Sequence, residues 1–265
     1  MIEATGVPTG RRAGFARDVA IVAGRALRQI PREPFAVLPA VFIPAFFYFV
    51  NLGALENVTK GASGFDYKAF LLPMAIAFAV TGMSRAQTLV SDIAEGYFDR
   101  LCLTPVRRPA LLLGLMTADV VVIVALCVPV LSIGFALGVR FVTGAGGVMV
   151  FLAISALWGL AFTGFPYAVA LKTGSPAAVS ATYVVFFPLF FLSDAVVPKQ
   201  VLASWFSTIA TYNPVTYLLA ALRSLESGGW QPVALVEGLG ALAGLLALSL
   251  CCALLALRGR TRRGG

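Results

Sequence analysis

Few residues in this chain are of types that do chemistry, and their arrangement favours charge pairing over catalysis. The sequence has no histidine, and neither an H-E-x-x-H nor a G-x-S-x-G motif occurs in it. A metalloprotease or a serine hydrolase needs one of those arrangements to supply its metal ligands, base or nucleophile. The sequence therefore predicts no catalytic residue and no metal site, which argues against an enzyme.

The most informative charged residues form a short segment after the second apolar block. Asp92, Glu95 and Asp99 recur at spacings of three and four residues, so their side chains share one face of a predicted short helix. Thr104 followed by Pro105 fits a helix N-cap with proline at the first helical position, so the next long helix is predicted to begin there. A solvated charged turn is the alternative interpretation, but a plain turn seldom carries this many ordering signals.

The elements that hold these residues are predicted to be membrane helices. With 59% hydrophobic residues, 12% charged residues and a mean hydropathy of +0.90, the chain departs far from the soluble average. Its apolar residues cluster into blocks near the roughly 20 residues with which a helix crosses a bilayer. We expect an all-α integral membrane protein with one transmembrane domain over the whole chain. The six predicted transmembrane helices are 35–52, 70–90, 110–138, 147–171, 176–197 and 232–257.

The distribution of basic residues predicts the orientation of these helices. Fifteen of the 20 lysines and arginines lie in the N-terminal tail, around the loop after the second block, in the loop between blocks four and five, and in the C-terminal tail. The positive-inside rule assigns the side with more basic residues to the cytoplasm. Both termini are therefore predicted to be cytoplasmic. The net charge of +8 then reflects topology and attraction to anionic lipid, and no nucleic acid is needed to explain it.

An amphipathic segment precedes the first block. Over residues 15–32, apolar side chains from Phe15 to Ile30 form one helical stripe, and arginines project from roughly the opposite side. We predict an interfacial helix on the membrane surface, ended by Pro31 and Pro34. Two roles remain open for it, a topology anchor or a lever that meets a cytoplasmic partner.

Residues 199–225 are predicted to form a re-entrant hairpin at the outer face. Its two apolar pieces are each too short to span a bilayer, and Asn213-Pro214 separates them. Asn213 is expected to cap the second piece, with Pro214 at its first helical position. The hairpin is a candidate lid, although a purely structural hairpin fits the sequence equally well. The candidate gate residues are Trp205, Tyr212, Asn213, Pro214, Tyr217 and Arg223.

Ionisable residues inside the predicted spans are rare. Arg85 and Asp119 lie toward the cytoplasmic ends of the second and third spans, where we expect an intramembrane ion pair rather than a transport site. The middle of the membrane is nearly free of charge, whereas proton- or sodium-coupled carriers usually need acidic groups there. A secondary transporter or channel that ATP does not drive is kept as the alternative function.

Two motifs resemble segments of a known family. The run E-G-Y-F-D-R-L-C-L-T-P-V-R-R at residues 95–108, with Ala118-Asp119 downstream, is similar to the cytoplasmic segment of type-2 ABC exporter permeases. The run N-P-V-T-Y-L-L-A-A-L-R at residues 213–223 resembles that family's segment before the last membrane helix. The order of elements agrees along nearly the whole chain. The resemblance is greatest to the daunorubicin-resistance type of permease found in actinobacteria.

The resemblance implies a permease subunit that works with other polypeptides. Such permeases pair as dimers, of identical or related chains, on two cytoplasmic ATP-binding subunits. The segment after the second span, here residues 91–105, is their coupling helix. The implied contact residues for the ATP-binding subunit are Asp92, Glu95, Gly96, Asp99, Arg100, Thr104 and Pro105.

The resemblance also implies where the nucleotide chemistry takes place. The chain has no G-x-x-x-x-G-K-[ST] loop to cradle phosphates, so ATP and magnesium are expected in the partner subunit and no cofactor in this chain. The implied function is export of an amphipathic, drug-like or lipid-like substrate across an actinobacterial cytoplasmic membrane. The charge-poor spans 70–90 and 176–197 are expected to line the path, because an apolar wall leaves no buried charge unpaired.

Overall fold

The computed structural model describes residues 14–29, 34–59, 66–81, 84–102 and 107–263. Within those ranges, every regular element is a helix. A short 3₁₀ turn forms over Lys199–Val201, and a π-helical turn forms over Ser224–Gly228. The α-helices are α1 (Phe15–Gln29), α2 (Pro34–Thr59), α3 (Tyr67–Thr81), α4 (Ala86–Ala94), α5 (Tyr97–Cys102), α6 (Arg108–Ala136), α7 (Gly144–Thr173), α8 (Pro176–Phe191), α9 (Ser204–Tyr212), α10 (Pro214–Arg223) and α11 (Pro232–Arg263).

In the part of the chain that the structure describes, four segments are long and apolar enough to cross a membrane, and one of them also runs over residues 82–83. The prediction of an all-helical membrane protein is therefore confirmed. The first and fifth predicted spans coincide with shorter apolar stretches, Leu38–Ala54 within α2 and Pro176–Phe191 in α8. The four long segments are Tyr67–Ala94, which includes α3 and α4, and then Pro109–Ala136, Gly144–Thr173 and Pro232–Arg260.

Helix α7 is the central element of the bundle. It packs most extensively against α11 and also against α6, α8 and α3. Its large side chains Phe151, Trp158 and Tyr167 are fully buried. Small residues permit the close approach to α11, since a Cβ added at Gly164 would lie 2.7 Å from the Ser249 side chain. Close-packed interiors have low compressibility and transmit strain, so α7 is a rigid support for the sites described below.

Helix α1 packs along α6 and does not stand apart from the bundle. Ala23 and Ala26 are buried, and a Cβ added at Gly114 of α6 would lie only 2.6 Å from the Cβ of Val22. Phe15, predicted to belong to the apolar stripe, is exposed. The described helix ends at Gln29, so the end of the predicted range 15–32 lies outside the described residues.

The predicted coupling helix is two helices and not one. Helix α4 ends at Ala94, and α5 begins at Tyr97 after a turn in which Gly96 has φ of 69°. A residue with a side chain is strained at that φ, so the glycine permits the break. The predicted helix start at Thr104-Pro105 lies outside the described residues. Helix α6 begins at Arg108, with proline in its first turn.

Candidate functional site

A clamp made by Arg25 joins α1 to α4 and α5. Arg25 Nη2 donates to Asp92 Oδ1 at 2.9 Å. The Arg25 guanidinium also lies over the Tyr97 ring, 4.0 Å from its centroid. The planar guanidinium is suited to doing both at once, because it pairs with a carboxylate at its edge and stacks on an aromatic ring with its face. One arginine of α1 therefore contacts both α4 and α5.

An apolar cleft lies beneath this clamp. Phe98 of α5 is buried there, and Leu89 of α4 packs against the same group of side chains. These contacts hold α4 and α5 on the bundle independently of the charged pair. The cleft is lined by Val22, Arg25, Ala26, Thr88, Leu89, Asp92, Phe98, Leu101, Leu111 and Leu115.

The predicted contact residues divide between buried and exposed positions. Asp92 turns inward to the clamp, whereas Glu95 and Arg100 are exposed, and Arg100 Nη2 donates to the Glu95 carbonyl at 3.2 Å. Glu95 is the C-cap of α4 and keeps helical backbone angles, with its N–H donating to the Ser91 carbonyl at 2.9 Å, so Asp92 and Glu95 retain their i,i+3 spacing. Asp99 lies in α5, but its side chain is outside the described part of the chain, as are Thr104 and Pro105 entirely.

The predicted ion pair between Arg85 and Asp119 is wrong. Asp119 Oδ1 accepts a hydrogen bond from the backbone N–H of Arg85 at 3.1 Å, and Asp119 Oδ2 accepts one from the Tyr167 hydroxyl at 2.7 Å. Among the described residues, no ion pair joins the two side chains, and Nη1 of Arg85 is buried without a hydrogen-bond partner. Because Arg85 is the N-cap residue of α4, Asp119 accepts a backbone hydrogen bond at the start of that helix.

The opposite end of the bundle is tied together by Arg223, the last residue of α10. Its Nη1 donates to Asp194 Oδ2 at 2.9 Å, and its Nη2 donates to the carbonyls of Asp194 at 3.0 Å and Ala195 at 3.1 Å. Its Nε donates to the carbonyl of Phe70 at 3.1 Å, and the guanidinium lies 3.6 Å from the centroid of that ring. Arg223 therefore connects α10 with α3 and with the segment that follows α8.

Asn213 both caps α10 and anchors the hairpin. Its Oδ1 accepts from the backbone N–H of Val215 at 3.0 Å, with Pro214 at the start of the helix, as the sequence predicts. Its Nδ2 donates to the carbonyls of Leu189 and of Leu192, the latter at 3.1 Å. These two carbonyls belong to the end of α8, so one amide side chain joins the α9–α10 junction to a different helix.

The remaining candidate gate residues differ in their surroundings. Tyr212 is 83% exposed and Trp205 is 64% exposed. Tyr217 is partly buried, and its hydroxyl donates to the Thr211 carbonyl at 2.7 Å, which links α10 to α9. Exposed aromatic rings with polar edges suit the headgroup zone of a membrane.

Glu226 is a buried carboxyl that the sequence analysis did not identify. It is 1% exposed and lies in the π-helical turn, and neither carboxylate oxygen has a hydrogen-bond partner. Its carbonyl accepts from the backbone N–H of Val142 at 2.9 Å, which ties the turn to the α6–α7 connection. Burial raises the pKa of Glu226 well above its ordinary value, Arg223 lowers it in part, and Asp66 raises it further. No simple sequence pattern marks a π-helical turn or a buried carboxyl group within it, so the sequence alone gave no signal for Glu226.

The two spans predicted to line a path have different environments. Helix α3 is buried within the chain, with Leu71, Leu72 and Ile76 completely covered. Helix α8 presents an exposed face that includes Val184 and Phe187. Within this single chain, α8 alone of the two offers an open apolar wall along its length.

Comparison with known proteins identifies this architecture. The family model described as ABC-2 type transporter matches residues 17–227, a stretch that runs from α1 through the clamp and the hairpin to the π-helical turn. The chain belongs to the ABC-2 type transporter family. The ABC-2 match therefore includes every candidate site residue named above.

Individual relatives of this ABC-2 permease agree with the family assignment. The chain is 30% identical over 205 residues to the daunorubicin resistance ABC transporter permease protein DrrB1 of Streptomyces coeruleorubidus, covering 76% of this chain and 70% of that protein. It is 27% identical over 219 residues to the probable doxorubicin resistance ABC transporter permease protein DrrC of Mycobacterium tuberculosis. That match covers 81% of this chain and 79% of the relative. The chain is thus a permease of the ABC-2 type, the membrane subunit of an ABC exporter.

Proposed function

We propose that this ABC-2 permease crosses the cytoplasmic membrane six times with both termini inside, and that α4 and α5 dock on a separate ATP-binding subunit. The Arg25 clamp is the observation that carries the docking proposal. It unites α1, α4 and α5 into one surface, and the exposed Glu95 and Arg100 lie beside it. ATP and magnesium belong to the partner subunit in this account.

The division of charge across this surface supports docking on a protein. Asp92 is satisfied internally by Arg25, whereas Glu95 is exposed immediately before the Gly96 turn. An internal pair stabilises the shape of the surface, and exposed charges are left to set the register and selectivity of a partner. Movement of the partner would then act on α1, α4 and α5 together.

The substrate proposal rests on the relatives and on the aromatic wall of α8. The relatives are named for resistance to daunorubicin and doxorubicin, which are amphipathic aromatic drugs. Phe187 and Phe191 of α8 are exposed and stacked, with ring centroids 6.4 Å apart. We propose an amphipathic, drug-like or lipid-like substrate that passes between this chain and a second permease, identical or related. The hairpin of α9 and α10 is the proposed outer gate.

Purification of the permease with a co-expressed ATP-binding subunit tests the docking proposal. Glu95→Lys is expected to weaken docking about tenfold or more, because it places an unmatched charge at the interface. Glu237→Lys is the matched control, since Glu237 is also exposed but lies near the start of α11, away from α4. Retention of the ATP-binding subunit by Glu95→Lys at the level of the control would contradict the proposed docking surface.

A further inference from the structure

Helix α4 has no side-chain cap at its N-terminus from the preceding residue. Arg85 is the N-cap residue and makes no capping hydrogen bond with its side chain. The first backbone donors of a helix have no partner inside the helix, and leaving one buried and unsatisfied is costly. The Ser84 hydroxyl accepts from the N–H of Ala86 at 3.1 Å, and the N–H of Arg85 is satisfied from another helix altogether.

Asp119 of α6 is the acceptor for the Arg85 N–H. It is 2% exposed, and its Oδ1 lies 3.1 Å from the Arg85 nitrogen. Its other carboxylate oxygen accepts from the hydroxyl of Tyr167 on α7, which is completely buried, at 2.7 Å. One buried carboxylate therefore holds the first turn of α4 against two transmembrane helices.

The position of this contact gives it significance beyond stability. Ser84 and Arg85 are not helical, so α4 is an element separate from α3, which ends at Thr81. The opposite end of α4 carries Asp92 and thus the clamp to α1. The Asp119 contact and the clamp hold the two ends of the same nine-residue helix.

We propose that Asp119 is a positioning residue that transmits movement of α4 to α6 and α7. This inference rests on the proposed function, because it requires an ATP-binding subunit that moves α4 and α5. Hydrogen bonds are directional, so a carboxyl group that accepts from both partners follows the first turn of α4 when that helix tilts. Tyr167 then carries the displacement to α7, the central helix of the bundle.

A matched buried hydrogen bond provides the control. Trp158 Nε1 of α7 donates to Thr81 Oγ1 of α3 at 2.8 Å, and both residues are buried. This bond also reaches α7, but it begins on α3 and does not contact α4. Thr81→Val therefore removes a buried hydrogen bond to α7 without touching the start of α4, and it controls for lost stability.

The experiment follows an ATP-dependent movement at the far end of the molecule. A version without native cysteines carries a single cysteine in place of the exposed Val201, and it is reconstituted in lipid nanodiscs with its ATP-binding subunit. The rate of labelling by a polar maleimide is measured with and without ATP and magnesium. In the same samples, bound ATP-binding subunit, ATP hydrolysis and thermal unfolding are measured, so no transported substrate has to be known.

Asp119→Asn and Tyr167→Phe are expected to retain the ATP-binding subunit and its basal ATP hydrolysis, but to reduce the ATP-dependent change in labelling roughly tenfold. The double variant should show less loss than the sum of the two single variants, because the two residues share a hydrogen bond. Thr81→Val should lower thermal stability and keep the labelling change.

Two outcomes would overturn the inference in distinguishable ways. If Asp119→Asn only lowers thermal stability, as Thr81→Val does, and keeps the labelling change, then Asp119 is a structural cap without a role in coupling. If the parent chain neither retains an ATP-binding subunit nor responds to ATP, the proposed function fails, and the role of Asp119 fails with it.

Discussion

The guanidinium of Arg223 lies 2.9 Å from the Asp194 carboxylate and satisfies three backbone carbonyls at the same time. The two residues are 29 positions apart, and both side chains are largely buried. This contact holds α10 to the end of α8 and to α3, which are the elements that an outer gate would have to separate. One side chain therefore joins α10 to two other parts of the bundle.

Replacement of Arg223 by lysine is expected to destabilise the protein. An ammonium group keeps the charge but does not reproduce the planar fork, so carbonyls of α3 and of the segment after α8 lose their donor. We expect a loss of about 2 kcal/mol, seen as a lower thermal unfolding temperature. Arg140→Lys is the control, because Arg140 is exposed. Equal unfolding temperatures for the two variants would contradict the structural role of Arg223.

Two substitutions at Asn213 separate its cap from its anchor. Asn213→Asp keeps the oxygen that caps α10 but removes the donor to the carbonyls of Leu189 and Leu192, and Asn213→Leu removes both functions. The difference in stability between the two variants, which reports loss of the cap, should be roughly 1 kcal/mol. If the hairpin is a gate, both variants should reach the membrane at normal levels and export poorly. Normal export by Asn213→Leu would show that the hairpin is only structural.

Glu226 predicts a pH dependence of stability. Because burial raises its pKa well above the ordinary 4.5, the folded chain favours the protonated form. The stabilisation is complete below about pH 4.5, and it is lost as the pH rises through the raised pKa. Glu226→Gln should flatten this part of the stability profile, whereas Glu237→Gln at an exposed position should leave it unchanged. An identical profile for Glu226→Gln and the parent chain would show that Glu226 does not titrate in this way.

The orientation is tested by labelling intact cells. In a version without native cysteines, a single cysteine at position 199, near the hairpin, should react with an impermeant reagent, and one at position 100, in α5, should not. The reason is the excess of basic residues on the side that carries α5. Reaction at position 100 in intact cells would reverse the proposed topology.

Local signals in the sequence were sufficient to predict the hairpin break. An asparagine cap followed by proline acts within three residues, so the start of α10 followed directly from Asn213-Pro214. The break between α4 and α5 is also local, but it depends on a positive φ at Gly96 that the glycine permits and does not require. The acidic spacing on either side favoured a continuous helix, and that prediction was wrong.

Contacts between distant residues could not be predicted in the same way. Arg25 and Asp92 are 67 positions apart, and Tyr167 and Asp119 are 48 positions apart. Asp119 had an arginine in the neighbouring span as an apparent partner, yet the close packing of α7 brought a tyrosine hydroxyl to it instead. Helix packing decides which partner Asp119 contacts, and that packing cannot be predicted from a single sequence.

ATP dependence of transport tests the central claim most directly. Inside-out vesicles containing this permease and its ATP-binding subunit should accumulate an amphipathic aromatic drug of the proposed substrate class when ATP and magnesium are supplied, and accumulation should persist after ionophores collapse the proton and sodium gradients. Glu95→Lys should abolish this accumulation although the permease remains in the membrane. Uptake that needs no ATP and disappears with the ion gradients would contradict the account and favour a secondary transporter.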